Sequence, residues 1–223
     1  AYIGFDITSD SLHVGSLIQL MLLHWFDFYG HQAIALVGGG TTLIGDPSGK
    51  DQTRKILSKK EIEKNIINIE NTFSRFINLK NNSLIINNHD WLSKLNYIDF
   101  LREFGSKITL NRMLTFDSVK NRLDREQPLT ILEFNYMLLQ AYDFLYLNKN
   151  YNCILQMGGS DQWGNILSGL DLIRKINKKT AFGITSPLIT NSDGTKMGKT
   201  ADGAIWLNKE KISSLDFFQF WRN

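Results

Sequence analysis

The sequence has a single cysteine, no long apolar run and a small net charge, and each shortage removes a class of protein. Cys153 alone cannot form a disulfide within the chain or supply a cysteine-rich metal site, and its solitude fits a reducing compartment. No apolar stretch reaches the ~18–20 residues that a membrane-spanning helix needs. The most apolar segment, residues 17–28, is interrupted by Gln19, His24 and Asp27. A net charge of +3 is too small to point by itself to a nucleic-acid partner. Two basic runs stand out, one with Lys50, Arg54, Lys55, Lys59 and Lys60, the other with Arg174, Lys175, Lys178 and Lys179. Such runs are usually solvated helix faces. There is no internal repeat, no initiator Met and no basic leader ahead of an apolar core. The first residues already read as a strand and the last seven are rich in aromatics, so the expectation is a piece of a longer protein.

What is present fits an ordinary globular domain: 223 residues, 43% hydrophobic and 21% charged, enough for a sizeable core. Residues 2–6 read as a strand, 8–11 as a capping loop and 12–29 as a helix closed by Gly30. A short apolar strand at 33–37 then runs into Gly38-Gly39-Gly40. Strand, helix and strand in so short a span predict a βαβ unit and a parallel sheet. After a turn-rich loop at 45–49, Ile62, Ile66, Ile69, Phe73 and Phe76 recur at helical spacing. Residues 84–86 and 153–156 read as strands, the latter ending in Gly158-Gly159; residues 132–145 and 163–176 read as helices. The stretch 91–130, broken near its end by Pro128, reads as mixed and helical, and 190–202 as a polar loop.

Several polar groups need a reason. His13 and Gly15 stand at a helix start, where unpaired N–H groups and the helix dipole suit phosphate; a lone histidine there also reads as plain surface. Gly38-Gly39-Gly40 could admit a ligand at a strand's carboxyl end or could simply turn. The nearby Gly45-Asp46-Pro47-Ser48-Gly49-Lys50 lacks the glycine-to-lysine spacing of a Walker loop and the hydroxyl residue after its lysine. Tyr136, Gln140 and Asp143 are spaced four and then three apart on an otherwise apolar helix, so they share one face. Buried there, each must find a partner or cost ~1–3 kcal/mol. A polar ligand is one solution and an internal network the other. Asp161, after Gly158-Gly159-Ser160, could accept from ribose hydroxyls. Lys196 and Lys199, in a glycine-containing loop, could neutralise charge on a transferring phosphate or could be exposed solubilising charge.

The segments together, in order, resemble the bacterial-type tyrosyl-tRNA synthetases, which are class I aminoacyl-tRNA synthetases. The resemblance is carried by residues 2–8, Ser11-Leu12-His13-Val14-Gly15-Ser16, residues 35–39, residues 45–50, residues 136–143, Gly158-Gly159-Ser160-Asp161-Gln162-Trp163-Gly164-Asn165 and Lys196-Met197-Gly198-Lys199-Thr200. It implies an α/β fold, a Rossmann-like doubly wound parallel sheet with an inserted helical connective segment. The catalytic domain would span 1–193 with the insertion at roughly 91–130. Residues 194–223 would hold the KMSKS-type loop and the start of the following helical region, the C-terminal tRNA-binding domain being absent.

The implied activity is ATP-dependent formation of tyrosyl-adenylate and transfer to tRNA(Tyr). Tyr2 and Asp143 would bind the substrate's phenol hydroxyl, while Asp46, Tyr136 and Gln140 hold its ammonium group. Leu36 and Thr41 would line the same pocket and Gln162 face the carboxylate. Gly4, Asp6, Gly15, Ser16, Gly159, Asp161 and Lys199 would hold ATP, with Ile189 near the base. Thr8, His13, Lys50, Arg54, Lys196, Lys199 and Thr200 would stabilise the departing pyrophosphate. Mg²⁺ would accompany ATP, with no protein metal site expected. A homodimer through the helices between the second strand and Pro128, and a cytoplasmic or organellar-matrix location, complete the expectations. Ser16 departs from the family's HIGH motif by replacing its second histidine, and Gly198 and Thr200 depart from its KMSKS motif. Tryptophanyl-tRNA synthetase and a non-catalytic synthetase-like RNA-binding module are the competing readings.

Overall fold

The computed structural model describes residues 1–46, 57–80, 82–190, 197 and 204–222. Five strands form one parallel sheet: β1 (Tyr2–Asp6), β2 (Ile34–Gly38), β3 (Leu84–Asn87), β4 (Leu155–Gly159) and β5 (Phe182–Ser186). Their order is β3-β2-β1-β4-β5. The chain steps outward from β1 to β3, then crosses back and builds β4 and β5 on the other side. The order reverses between β1 and β4, which is where doubly wound sheets bind ligands beyond the strands' carboxyl ends. This is the Rossmann-like arrangement that the pattern of segments predicted.

The helices are α1 (Leu17–Phe28), α2 (Lys59–Phe73), α3 (His89–Leu92), α4 (Tyr97–Glu103), α5 (Leu110–Met113), α6 (Asp117–Asp124), α7 (Ile131–Tyr151), α8 (Trp163–Ile176) and α9 (Ser214–Arg222). Reciprocal capping sets two of the starts. Ser58 with Glu61, and Thr130 with Glu133, form reciprocal capping boxes for α2 and α7. Asn152 ends α7 in a left-handed conformation, φ 51°. Buried side chains alternate along β1. Tyr2 packs with Leu36, Phe144 and Leu147 on the α7 and α8 side, while Ile3 and Phe5 pack with Leu20, Val37 and Phe73 on the α1 and α2 side. The strand's period of two therefore puts Tyr2, Gly4 and Asp6 on one face.

The helix read at 132–145 runs on to Tyr151 and the strand read at 153–156 is Leu155–Gly159; three further differences have a clear physical reason. The first helix does not begin at residue 12. His13 is extended (φ −118°, ψ 171°) because the segment around it pairs with residues 205–207: Val14 N donates to Ile205 O at 2.9 Å and Leu207 N to Leu12 O at 2.8 Å. A short 3-10 turn, Val14–Ser16, follows before α1. Phe76 lies past the end of α2, in a turn. Strand β5 was not anticipated: it is a half-exposed edge strand, with Phe182 and Ile184 at the surface, and it lacks the apolar run that marks β2.

The polar residues that interrupt α1 all make bonds to distant parts of the chain. Asp27 accepts from Ser83 Oγ at 2.6 Å and Asn78 N at 2.7 Å, His24 Nδ1 meets Phe76 O at 2.7 Å, and Gln19 Nε2 donates to Ser186 Oγ at 3.2 Å. Among the described residues no helix is long and apolar enough to cross a membrane.

Candidate active site

A cavity of about 430 Å³ opens where the sheet order reverses. Its inner end is built by β1, β2 and α7. Tyr2 is 1% exposed and Asp143 2% exposed. Asp143 accepts from Asn88 Nδ2 at 2.9 Å and from Trp91 Nε1 at 2.7 Å. Burial pushes its carboxyl up to about 7, against the two hydrogen bonds, which favour the charged form, and with the negative charge of Asp6 adding to the rise. The same burial, followed by the charges of Asp143 and Cys153, raises the Tyr2 phenol well above its usual range. The Tyr2 hydroxyl is buried and has no hydrogen-bond partner among the described residues. An unpaired buried hydroxyl costs ~1–3 kcal/mol, and no bond among the described residues offsets that cost here.

Two hydrogen-bonded chains line the cavity. In one, Tyr136 Oη donates to Asp6 at 3.0 Å, Thr41 Oγ1 donates to Asp6 at 2.9 Å, and Asn88 Nδ2 donates to Thr41 Oγ1 at 3.0 Å. Asn88, 1% exposed, also accepts from Gly40 N at 2.7 Å and so joins the turn after β2 to Asp143. In the other, Gln162 Nε2 donates to Asp46 at 2.9 Å, Gln140 Nε2 donates to Gln162 at 3.3 Å, and Asn165 Nδ2 reaches Gln140 at 2.9 Å and Gln162 at 3.1 Å. The polar face of α7 thus enters internal networks and borders the cavity at the same time. Leu36 supplies apolar wall beside them.

The outer end is backbone and helix start. His13 Nδ1 accepts the Gly15 N–H at 3.0 Å, which fixes the ring and leaves Nε2 as the edge that can donate. A side chain at Gly15 would lie 2.8 Å from the His13 ring and 2.9 Å from Met197 O, so only glycine fits. Gly4, Asp6, Thr8, Ser16, Gly159 and Asp161 also line this part. A Cβ on Gly4 would meet only a Leu36 methyl, at 3.9 Å, so the cavity floor is open there.

The cavity therefore brings together every residue expected to hold tyrosine and all but two of those expected to hold ATP. Ile189 does not line it; Leu188 does, and Ile189 O instead accepts from Met197 N at 2.8 Å. Lys50, Arg54, Lys196, Lys199 and Thr200 lie outside the described residues. Asn88, Trp91, Asn165 and Gln19 belong to the cavity or its supports and were missed. The Asn88 and Trp91 bonds to Asp143 span 55 and 52 residues, and no local spacing announces them. Gln19 carried a signal, as a polar residue inside the most apolar segment. Among the described residues no group of three or more His, Cys, Asp or Glu could hold a metal ion.

Comparison with known proteins agrees with this geometry. The family model described as tRNA synthetases class I (W and Y) matches residues 1–223. A tyrosine–tRNA ligase of Rickettsia massiliae is 59% identical over 226 residues, covering all of this chain and 55% of the relative. One of Caulobacter vibrioides is 58% identical, covering all of this chain and 54% of the relative. The chain thus spans about half the length of the curated relatives it matches. The crystal structure of a C-terminally truncated mitochondrial tyrosyl-tRNA synthetase of Aspergillus nidulans superposes with a TM-score of 0.83 at 31% identity, covering 98% of this chain and 66% of that one. By its fold, its site and a family match along its whole length, the chain belongs to the class I tRNA synthetases of the tryptophan and tyrosine group.

Proposed function

We propose that this chain activates tyrosine with ATP and that the protein it belongs to transfers the tyrosyl group to tRNA(Tyr). The observation that carries the choice of amino acid is the buried Tyr2 hydroxyl, unpartnered among the described residues, in the same cavity as Asp143. A phenol both donates and accepts, so one hydroxyl could serve the ionised Asp143 carboxylate and the Tyr2 O–H together. An indole N–H only donates and would leave the Tyr2 O–H without an acceptor. Asp46, Tyr136 and Gln140 offer a carboxylate and polar side chains for the ammonium group, and Gln162 an amide for the carboxylate.

The chemistry needs no covalent intermediate on the protein. The tyrosine carboxylate attacks the α-phosphorus of ATP, the bond to the bridging oxygen breaks, and pyrophosphate leaves. Catalysis is then positioning plus stabilisation of charge on the phosphates. His13 Nε2 is oriented to donate, and Thr8, Lys50, Arg54, Lys196, Lys199 and Thr200 are the further groups assigned to this task. Asp6, Gly159 and Asp161 take the adenosine half. Magnesium would arrive on the ATP phosphates.

Exposed Tyr97, Ile98, Leu110 and Ile131, on and beside α4 to α7, support a homodimer through this helical region, and sedimentation measures it. The related enzymes' chemistry suits a cytoplasmic or organellar-matrix site. The activity is tested by ATP–pyrophosphate exchange in the full-length protein. Exchange driven by tyrosine and not by tryptophan is expected; exchange driven by tryptophan, or none with either, would contradict the reading.

A further inference from the structure

Residues 204–211 have no task in the proposed chemistry, yet they hold the segment that carries His13. That segment lies between β1 and the Val14–Ser16 turn, and its backbone is satisfied from the other end of the chain. Val14 N donates to Ile205 O at 2.9 Å and Leu207 N to Leu12 O at 2.8 Å. These bonds flank His13 and Trp206 and make them an antiparallel, non-hydrogen-bonded pair. In that register facing side chains come closest. The two rings meet edge to face, with centroids 6.3 Å apart and planes at 64°. The Lys211 ammonium lies over the indole, 4.5 Å from its centroid, and donates to the Asp10 carboxylate. Exposed ion pairs are worth only ~0–1 kcal/mol, so Lys211 serves as a tether for the indole more than as a source of stability.

An imidazole on an open turn would sample several rotamers. Here Nδ1 accepts the Gly15 N–H at 3.0 Å, and Trp206 walls one flank of the ring. The hydrogen bond sets the tautomer, and the indole keeps the ring on that bond; together they aim Nε2. His13 lines the cavity and Trp206 does not. We propose that Trp206 is a positioning residue for His13, acting on the reaction only through that ring. This rests on the phosphate-stabilising role proposed for His13 and deepens it. Misplacing an aimed group by about 1 Å can cost up to about 100-fold in rate. Loss of the wall should therefore appear as slower chemistry and not as weaker tyrosine binding.

The test compares the unmutated full-length protein with Trp206→Leu and Trp206→Phe, each also made in a His13→Ala background. Single-turnover adenylate formation, tyrosine affinity and the thermal midpoint are read. Trp206→Leu is expected to slow adenylate formation about tenfold and Trp206→Phe about threefold, with tyrosine affinity within about twofold. In the His13→Ala background the same changes should cost less than about twofold, because the ring they position is gone. A full cost in that background overturns the assignment, as does an unaltered rate in Trp206→Leu. So does a joint loss of tyrosine affinity and thermal stability in both variants. An unmutated protein without tyrosine-dependent exchange contradicts the activity, and the imidazole itself then decides on Trp206. With labelled histidine, nitrogen NMR at about pH 8 should show His13 as the Nε2-protonated tautomer. In Trp206→Leu the ring is free to leave the Gly15 N–H and should become a mixture of tautomers; an unchanged tautomer there overturns the inference.

Discussion

The two ends of the cavity are built differently. At the inner end, side chains from β1, α3 and α7 meet in a buried hydrogen-bonded network whose members are far apart in sequence. At the outer end the parts are a glycine, a capping histidine and the backbone of Met197, while Lys196 and Lys199 lie outside the described residues. The inner end is held by the fold before any ligand arrives. On the proposed function, the outer end offers groups that act once phosphate is present. Amino-acid choice and phosphate chemistry are therefore separable, and substitutions at the two ends should fail in different ways.

The largest expected effect belongs to the phosphate chemistry proposed for Lys199. Lys199→Ala should slow adenylate formation by about 100-fold or more, as removal of one charge-stabilising donor commonly does. Tyrosine affinity should stay within about twofold, since no inner-end group is touched. Rapid-quench measurement of adenylate with equilibrium binding of tyrosine separates the two; a loss confined to tyrosine affinity would merge the two ends into one.

A smaller effect comes from pH. On the proposed function the ionised Asp143 carboxylate is the stronger acceptor for the substrate's O–H, and burial pushes its carboxyl up to about 7. At pH 6 most of it is protonated and at pH 8 most is ionised. Tyrosine binding should therefore tighten roughly tenfold as pH rises from 6 to 8. Calorimetry across that range checks it, and a flat profile would detach Asp143 from the phenol.

Trp91→Phe should have the smallest of these effects. It keeps an aromatic ring against Tyr146, whose centroid lies 4.3 Å from that of Trp91, and removes one donor to Asp143. Tyrosine affinity should fall about 3- to 10-fold at pH 7. Because that donor favours the ionised carboxylate, the pH midpoint should also move upward. Weakened binding with an unmoved midpoint would assign Trp91 to packing alone.

The contrast between the ends also explains what could be read from sequence. The outer end is local: strand, glycine, histidine and helix start follow one another within residues 2–17, and their order was visible. The polar face of α7 was visible for the same reason, as a helical spacing on an apolar background. The supports of Asp143 were not. Asn88 and Trp91 reach it only because β3 and α3 are brought beside α7, and that contact has no period. Strand β5 escaped because an edge strand needs only half a buried face. Gln19 was noticed as a break in an apolar run, but its partner required the packing of α1 on β5.

The central claim is that the inner end recognises a phenol through Tyr2 and Asp143. Tyr2→Phe removes only the hydroxyl and leaves the ring that packs on Phe144, with centroids 5.2 Å apart, in place. The most direct measurement is the ratio of kcat/KM for tyrosine to that for phenylalanine in ATP–pyrophosphate exchange, before and after this change. The ratio is predicted to fall, through weaker use of tyrosine with little change for phenylalanine; an unchanged ratio would contradict the account.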